Sequence, residues 1–403
     1  VTAKPFLPYG RQTIEDDDIQ AVAQALRGNM LTGGPSVEAF EKAFAARMGA
    51  RHAVVCANGT AALHLAALAL RLGEGDCAIV PSATFLATAN GPHFTGCDVV
   101  FADVDPRSGL LTPATLAEAL TRVPSGRTAR AVFPVHLNGH CVDLAGIRAL
   151  ADTHGLAVVE DACHAVGGAY AADGVMVPVG ACRHSDMAVF SLHPVKTIAM
   201  GEGGVVTTND DALAARLRLM RNHGMSRDVA EFTQADEAFD SFGQPNPWYY
   251  EMAEPGYNYR ACDIQCALGL SQLAKMDRFL SRRRELADLY DRRLAPLAPL
   301  VRPVPRVSGC DSGWHLYVVH LDFAAIGAER AKVMVRLREE YQIGTQVHYL
   351  PVHRQPYWRK RNPSVRLVGA DAYYASCLSI PLYPSLTDED VERVVWALGE
   401  IIR

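Results

Sequence analysis

The sequence has no clustered cysteines, no long apolar run and no concentration of positive charge, and each lack removes a class of protein. Ten cysteines are spread singly through 403 residues. The one close pair, Cys262 and Cys266, would lie a helical turn apart, where a disulfide is poorly placed and a metal would need further ligands. The cysteines are therefore expected to be reduced and mostly core-filling, and no metal is expected. The longest apolar patch, Ala61 to Leu70, is broken by His64 and too short to cross a bilayer. The N-terminus lacks a basic region followed by an apolar core, so a cytoplasmic protein with no membrane partner is expected. Lysine and arginine are scattered, the formal net charge is -5 and the pI is near 6.3, which argues against nucleic acid as a partner. No repeat of fixed period or low-complexity segment is evident.

What is present suits a globular chain of two lobes: 49% apolar and 21% charged residues over this length are enough to bury a large core. After an extended start at Pro5 to Gly10, Thr13 is placed to cap a helix whose Ile19, Val22 and Leu26 fall at helical spacing. Asn29 to Pro35 breaks it, and Val37, Phe40 and Phe44 mark a second helix. Seven strand-like segments follow, interleaved with helical ones: His52 to Cys56, Cys77 to Ser82, Val99 to Asp103, Ala129 to His136, Leu156 to Asp161, Met187 to Ser191 and Gly204 to Thr208. They are continuously apolar rather than alternating, as strands covered on both faces are. An α/β fold with a largely parallel sheet is expected.

The polar stretch Ser226 to Pro247 is longer than an ordinary connection and reads as a functional loop or flap. A long helix is predicted from Asp263 to Leu294, with the run Arg282-Arg283-Arg284 on its solvated face. A smaller α+β unit then closes the chain: a strand Leu316 to Leu321, a helix Glu329 to Glu339, a strand Thr345 to Tyr349 and a last helix opened by the capping box Thr387 to Asp390. The division expected is 1–250 for a large lobe and 251–403 for a small one.

Ligands of open α/β sheets bind beyond the carboxyl ends of the strands, and four sites there make chemical sense together. Gly59-Thr60 starts a helix, where free N–H groups and a hydroxyl can hold a phosphate. Thr84-Phe85 offers an aromatic to stack on a flat ring. Asp161 ends a buried apolar run and needs a partner, which a protonated pyridine nitrogen would supply. Lys196 lies just past Phe190-Ser191-Leu192, with Gly201-Glu202-Gly203-Gly204 behind it and Ser191 as a second phosphate hydroxyl. A lysine so held can lose its proton and form a Schiff base. Each element alone has an ordinary structural explanation. Jointly they specify pyridoxal phosphate, with no metal.

Through these residues the chain resembles the sugar aminotransferases of the DegT/DnrJ/EryC1/StrS type. The matching segments are Ala57 to Leu63, Thr84 to Asn90, Pro134 to Gly139, Glu160 to Ala165, Phe190 to Lys196, Gly201 to Gly204 and Gly256 to Arg260. The resemblance implies the pyridoxal-phosphate fold of aspartate aminotransferase, fold type I: a large domain with a seven-stranded, mostly parallel sheet and a smaller C-terminal α+β domain. It further implies that Lys196 binds the cofactor covalently and Asp161 pairs with its ring nitrogen. Phe85 would stack on the ring, His164 would lie beside it, and Gly59, Thr60 and Ser191 would hold its phosphate. Asn258 would reach that phosphate from the other subunit of a homodimer. Cys163 departs from the smaller residue usual in the family.

Softer cues in Pro8 to Gln12, Leu31 to Pro35, Pro247 to Glu251 and Gln346 to Tyr349 resemble the branch of pseudaminic acid biosynthesis. That branch aminates C4 of a UDP-linked 4-keto-6-deoxy sugar using L-glutamate. By the same analogy Tyr9, Asn29, Met30, Leu31, Thr32, Gln346, Val347, His348 and Tyr349 would line the sugar-nucleotide pocket. Three other readings compete: amination of a dTDP- or GDP-linked keto sugar, a cysteine desulfurase using Cys310, and a non-catalytic regulatory relative. A dehydratase subgroup on the same scaffold carries histidine at the lysine position, and Lys196 speaks against it.

Overall fold

The computed structural model describes residues 5–403. The seven expected strands form one sheet in the order His52–Cys56, Gly204–Thr208, Met187–Ser191, Ala157–Asp161, Thr128–Val132, Asp76–Pro81, Asp98–Ala102. Gly204–Thr208 runs antiparallel to both of its neighbours, and the remaining pairs are parallel. Val54, Ile79, Val132, Val158, Val189 and Val206 are fully buried along it, as expected of strands sandwiched between helices. Seven of the ten cysteines are buried as well. Among the described residues, no helix is long and apolar enough to cross a membrane.

A second, smaller core gathers Leu286, Tyr290, Tyr317, Val319, Leu378, Val391 and Leu398 around the antiparallel sheet Val301–Pro303, Tyr317–Leu321, Cys377–Ile380. The expected box at Thr387 forms: its hydroxyl accepts from Asp390 N–H at 3.1 Å and opens the helix Asp388–Ile401. Leu7 belongs to this core too, paired with Ile343; Gly344 N–H donates to Leu7 O at 2.7 Å and Leu382 N–H to Tyr9 O at 3.0 Å.

Four expectations are corrected. The first helix is Asp16–Arg27, capped by Glu15 rather than Thr13, and it is turned over: Ile19 and Leu26 are 59% and 55% exposed while Asp18 is buried. The cause is polar. Asp18 accepts hydrogen bonds from Ser271 Oγ (2.6 Å) and Gln272 Nε2 (2.8 Å) and pairs with Lys275 (2.7 Å), so its face is drawn inward.

The long helix is two, Asp263–Ala274 and Met276–Leu294, broken at Lys275, whose amine is engaged by Asp17 and Asp18. In the arginine run, Arg282 and Arg284 pair with Asp388 and Asp311, but Arg283 is 1% exposed. No strand forms over residues 345–349. Gln346 instead exchanges two backbone hydrogen bonds with Ser379, and the chain then turns His348 and Tyr349 toward the large sheet. The stretch Ser226 to Pro247 holds two short helical turns, with Phe242 largely exposed.

Candidate active site

Beyond the carboxyl ends of the central strands lies a cavity of about 780 Å³, and it collects residues from nearly every expected site: Gly59, Thr60, Phe85, Asp161, His164, Ser191 and Lys196. Two glycines let the chain close up at the cavity's corner beside Ser191. A Cβ on Gly59 would meet Ser191 Cβ at 2.9 Å, and one on Gly204 would meet Asn58 O at 2.2 Å. The loop before the helix Gly59–Ala69 therefore packs directly on the strand ends. Asn58 caps that helix through Ala61 N–H at 2.9 Å, which leaves the first turn directed at the cavity.

Asp161 is 4% exposed. Its Oδ2 accepts from Thr88 Oγ1 at 2.6 Å and its Oδ1 from Cys163 N–H at 3.1 Å. Thr88 is itself within 2.8 Å of Thr84 Oγ1. The carboxylate is thereby fixed at the cavity wall with lone pairs to spare. Phe85 is 53% exposed, its ring opening into the cavity 5.7 Å from that of Tyr349.

Burial pulls the Lys196 ammonium below its usual value, opposed by the nearby Cys163 thiol and Asp161 carboxylate. Its Nζ lies 3.4 Å from His315 Nε2. The His315 ring lies tilted against that of His164, with centroids 4.4 Å apart. His164 Nδ1 accepts the Asn138 N–H at 3.3 Å, so in the neutral ring Nε2–H donates to the Tyr349 hydroxyl oxygen at 2.9 Å. The Tyr349 proton is then free to point into the cavity. These groups fit pyridoxal phosphate: an anion corner, an open aromatic face, a fixed carboxylate and an amine held partly out of water.

Of the residues expected at the sugar, Tyr9, Gln346, Val347, His348 and Tyr349 line the same cavity. Asn29, Met30, Leu31 and Thr32 do not; Thr32 bridges Cys262, and Met30 and Leu31 are half exposed. Asn258 bridges Asn222 outside the cavity, whereas its neighbour Tyr259 lines it. Cys310 is also outside, its sulfur accepting the Cys141 N–H at 3.1 Å. Thr88 and His315 escaped the sequence reading. Thr88 could have been found as the residue one helical turn beyond Thr84, while His315, in the smaller unit just before a strand, carried no signal.

Burial favours the neutral form of His164, His315 and His348, which line the cavity, and of His64, which lies 3.2 Å from the hydroxyl of the cavity residue Tyr259. It pulls His348 down to about 3 and His64 to about 4, from an ordinary 6.5, and lowers His164 and His315 well below 6.5, with the Lys196 charge adding to the effect on all but His64. The unfolded chain takes up these protons at about 6.5 and the folded one does not, so the stability contribution is whole above that pH and is lost as pH falls below it. We expect the apoprotein to lose about 2 kcal/mol between pH 7 and pH 5 through His348, and His348→Gln to flatten the slope. Equal urea-unfolding free energies at the two pH values, for both proteins, would refute this.

The chain is 39% identical over 400 residues to the spore coat polysaccharide biosynthesis protein SpsC of Bacillus subtilis (strain 168), covering 99% of this chain and 97% of that one. It superposes with a TM-score of 0.86 on Helicobacter pylori PseC, an aminotransferase involved in the biosynthesis of pseudoaminic acid, at 26% identity over 98% of this chain and 99% of that one. DesI, solved in the presence of its TDP-sugar product, superposes with a TM-score of 0.83 at 31% identity over 99% of this chain and 93% of that one. With residues 12–399 matching its model, the chain belongs to the DegT/DnrJ/EryC1/StrS aminotransferase family, pyridoxal-phosphate-dependent sugar aminotransferases of nucleotide-sugar biosynthesis.

Proposed function

We propose that the protein moves the amino group of L-glutamate to C4 of a UDP-linked 4-keto-6-deoxy sugar, releasing 2-oxoglutarate and the 4-amino sugar. The observation that carries the site assignment is the convergence of Lys196, Asp161, Phe85 and the Gly59-Thr60 helix start on one cavity. Bound there, pyridoxal phosphate supplies an aldehyde for the amine and a ring that takes up electrons from the deprotonated carbon.

The chain's own residues do the rest. Lys196 anchors the cofactor, and its amine, once displaced, carries the proton off the donor carbon and later returns one to the sugar carbon. Asp161, braced by Thr88 and Cys163, faces the ring nitrogen. Phe85 covers the ring, His164 flanks it, and Gly59, Thr60 and Ser191 hold the phosphate. Enzymes of this family are generally dimeric, and in such a dimer Asn258 completes the phosphate site of the partner copy. Tyr9 and Gln346 to Tyr349 form the sugar side, with Asn29 to Thr32 contributed across the same interface. The enzyme works in the cytoplasm.

Likeness to PseC supports a sugar of the pseudoaminic acid type, and likeness to DesI, solved in the presence of its TDP-sugar product, favours a second reading, a dTDP-linked keto sugar. A coupled assay of glutamate consumption with UDP-, dTDP- and GDP-linked 4-keto-6-deoxy sugars separates them. We expect kcat/KM for the UDP sugar to exceed the others by about tenfold or more. Preference for the dTDP sugar would overturn the first reading in favour of the second, and no turnover of any of them with glutamate would overturn both.

A further inference from the structure

Arg283 is a fully buried cation without a carboxylate. It sits in the middle of the helix Met276–Leu294 and is 1% exposed, and among the described residues no acid pairs with it. Its Nη1 is within hydrogen-bond distance of three backbone carbonyls, Trp314 at 3.0 Å, Leu382 at 3.1 Å and His315 at 3.2 Å, while Nε has no partner. Burying a charge this way is costly, and an apolar side chain of similar size commonly serves packing as well or better. Its placement therefore calls for a reason beyond packing.

The segment it grips supplies one. Trp314 holds a φ of 41°, a left-handed conformation that a bulky side chain avoids and that persists only when the surroundings enforce it. Gly313 N–H donates to Gly139 O at 3.0 Å and Leu316 N–H to Asn138 O at 3.3 Å, tying the segment's flanks to the short turn Leu137–Gly139. Between those ties Arg283 takes the carbonyls of residues 314 and 315. The side chain that emerges there is His315, whose Nε2 faces Lys196 and whose Nδ1 is buried without a partner.

We infer that Arg283 is a positioning residue for amino transfer: its guanidinium fixes the backbone of Trp314 and His315 and so holds the His315 imidazole against the Lys196 amine. The inference rests on the reading of Lys196 as the cofactor-binding lysine. Burial first, then the Lys196 charge, with smaller contributions from His164, Arg283 and His348, lowers the proton affinity of His315, which favours the ring as a hydrogen-bond partner of the amine over a competing cation. His164, His348, Lys196 and Arg283 are the titratable groups that act on it.

The test compares holoenzymes carrying Arg283→Met, Arg283→Lys, His315→Gln and the Arg283→Met/His315→Gln pair. It reads the pH midpoint of the bound cofactor's visible absorbance band, kcat, KM and melting temperature. For Arg283→Met we expect kcat to fall about tenfold to a hundredfold with KM changed less than about threefold, and the midpoint to move by about half a pH unit or more. Added to His315→Gln, the same change should cost less than about twofold further. Arg283→Lys, which keeps the charge, should recover the midpoint in part, and it decides the matter on the same readouts if Arg283→Met does not fold. Variants that melt lower yet keep the wild-type midpoint and kcat would overturn the inference, as would an undiminished effect in the His315→Gln background. Failure of the Lys196 reading is seen separately, as borohydride trapping of the cofactor on a different lysine in peptide maps.

Discussion

Lys196→Ala is expected to abolish amino transfer, lowering kcat by about 10⁴-fold or more, while the protein stays folded. The residue bears no structural load: among the described residues the one hydrogen-bond partner of its amine is His315 at 3.4 Å, and the surrounding core is built from other side chains. Alanine removes both the group that anchors the cofactor and the base that moves the proton, and burial that lowers the ammonium's proton affinity no longer has an amine to act on. Circular dichroism and melting should stay near wild type, with the cofactor's visible band altered. Unimpaired transamination by this variant would remove the site assignment.

Asp161→Asn should cost about 10²–10³-fold in kcat for a different reason. The amide keeps the shape and can still meet Thr88 and the Cys163 N–H, which in the wild type bond to the carboxylate at 2.6 and 3.1 Å. What is lost is the negative charge facing the ring nitrogen, a close ion pair in a partly buried site, worth on the order of a few kcal/mol. The loss should appear in kcat far more than in the KM for glutamate. A decrease of less than about threefold would mean that Asp161 does not serve the ring.

These two residues were legible in the sequence because the sheet is. Seven continuous apolar runs announce buried strands, and once the strands are placed the residues past their ends are inspected by rule. His315 was not legible, since its importance lies in a contact across 119 residues of sequence, to Lys196; Thr88 had only its place one turn beyond Thr84 to mark it, its role resting on a contact across 73 residues, to Asp161. Periodicity carries no information at that range. Asp18 and Arg283 were misplaced for a related reason: a helix was assumed to bury its apolar side, whereas here polar partners from distant segments decide which side goes in. The strand expected at 345–349 failed because a β-like composition was matched by a single bridge to Ser379.

The tie of residues 7–9 to the segments near 343 and 382 also bears on how the chain can come apart. Consider a nick in the exposed stretch 226–247. The front fragment would keep Leu7, a member of the second core, and the back fragment would keep Ala261, Cys266 and Leu273, members of the first. Neither piece would carry a complete interior of its own, so each would have to hold the other to remain folded. The chain is thus fastened as a clasp is, and its two cores stand or fall as one cooperative unit.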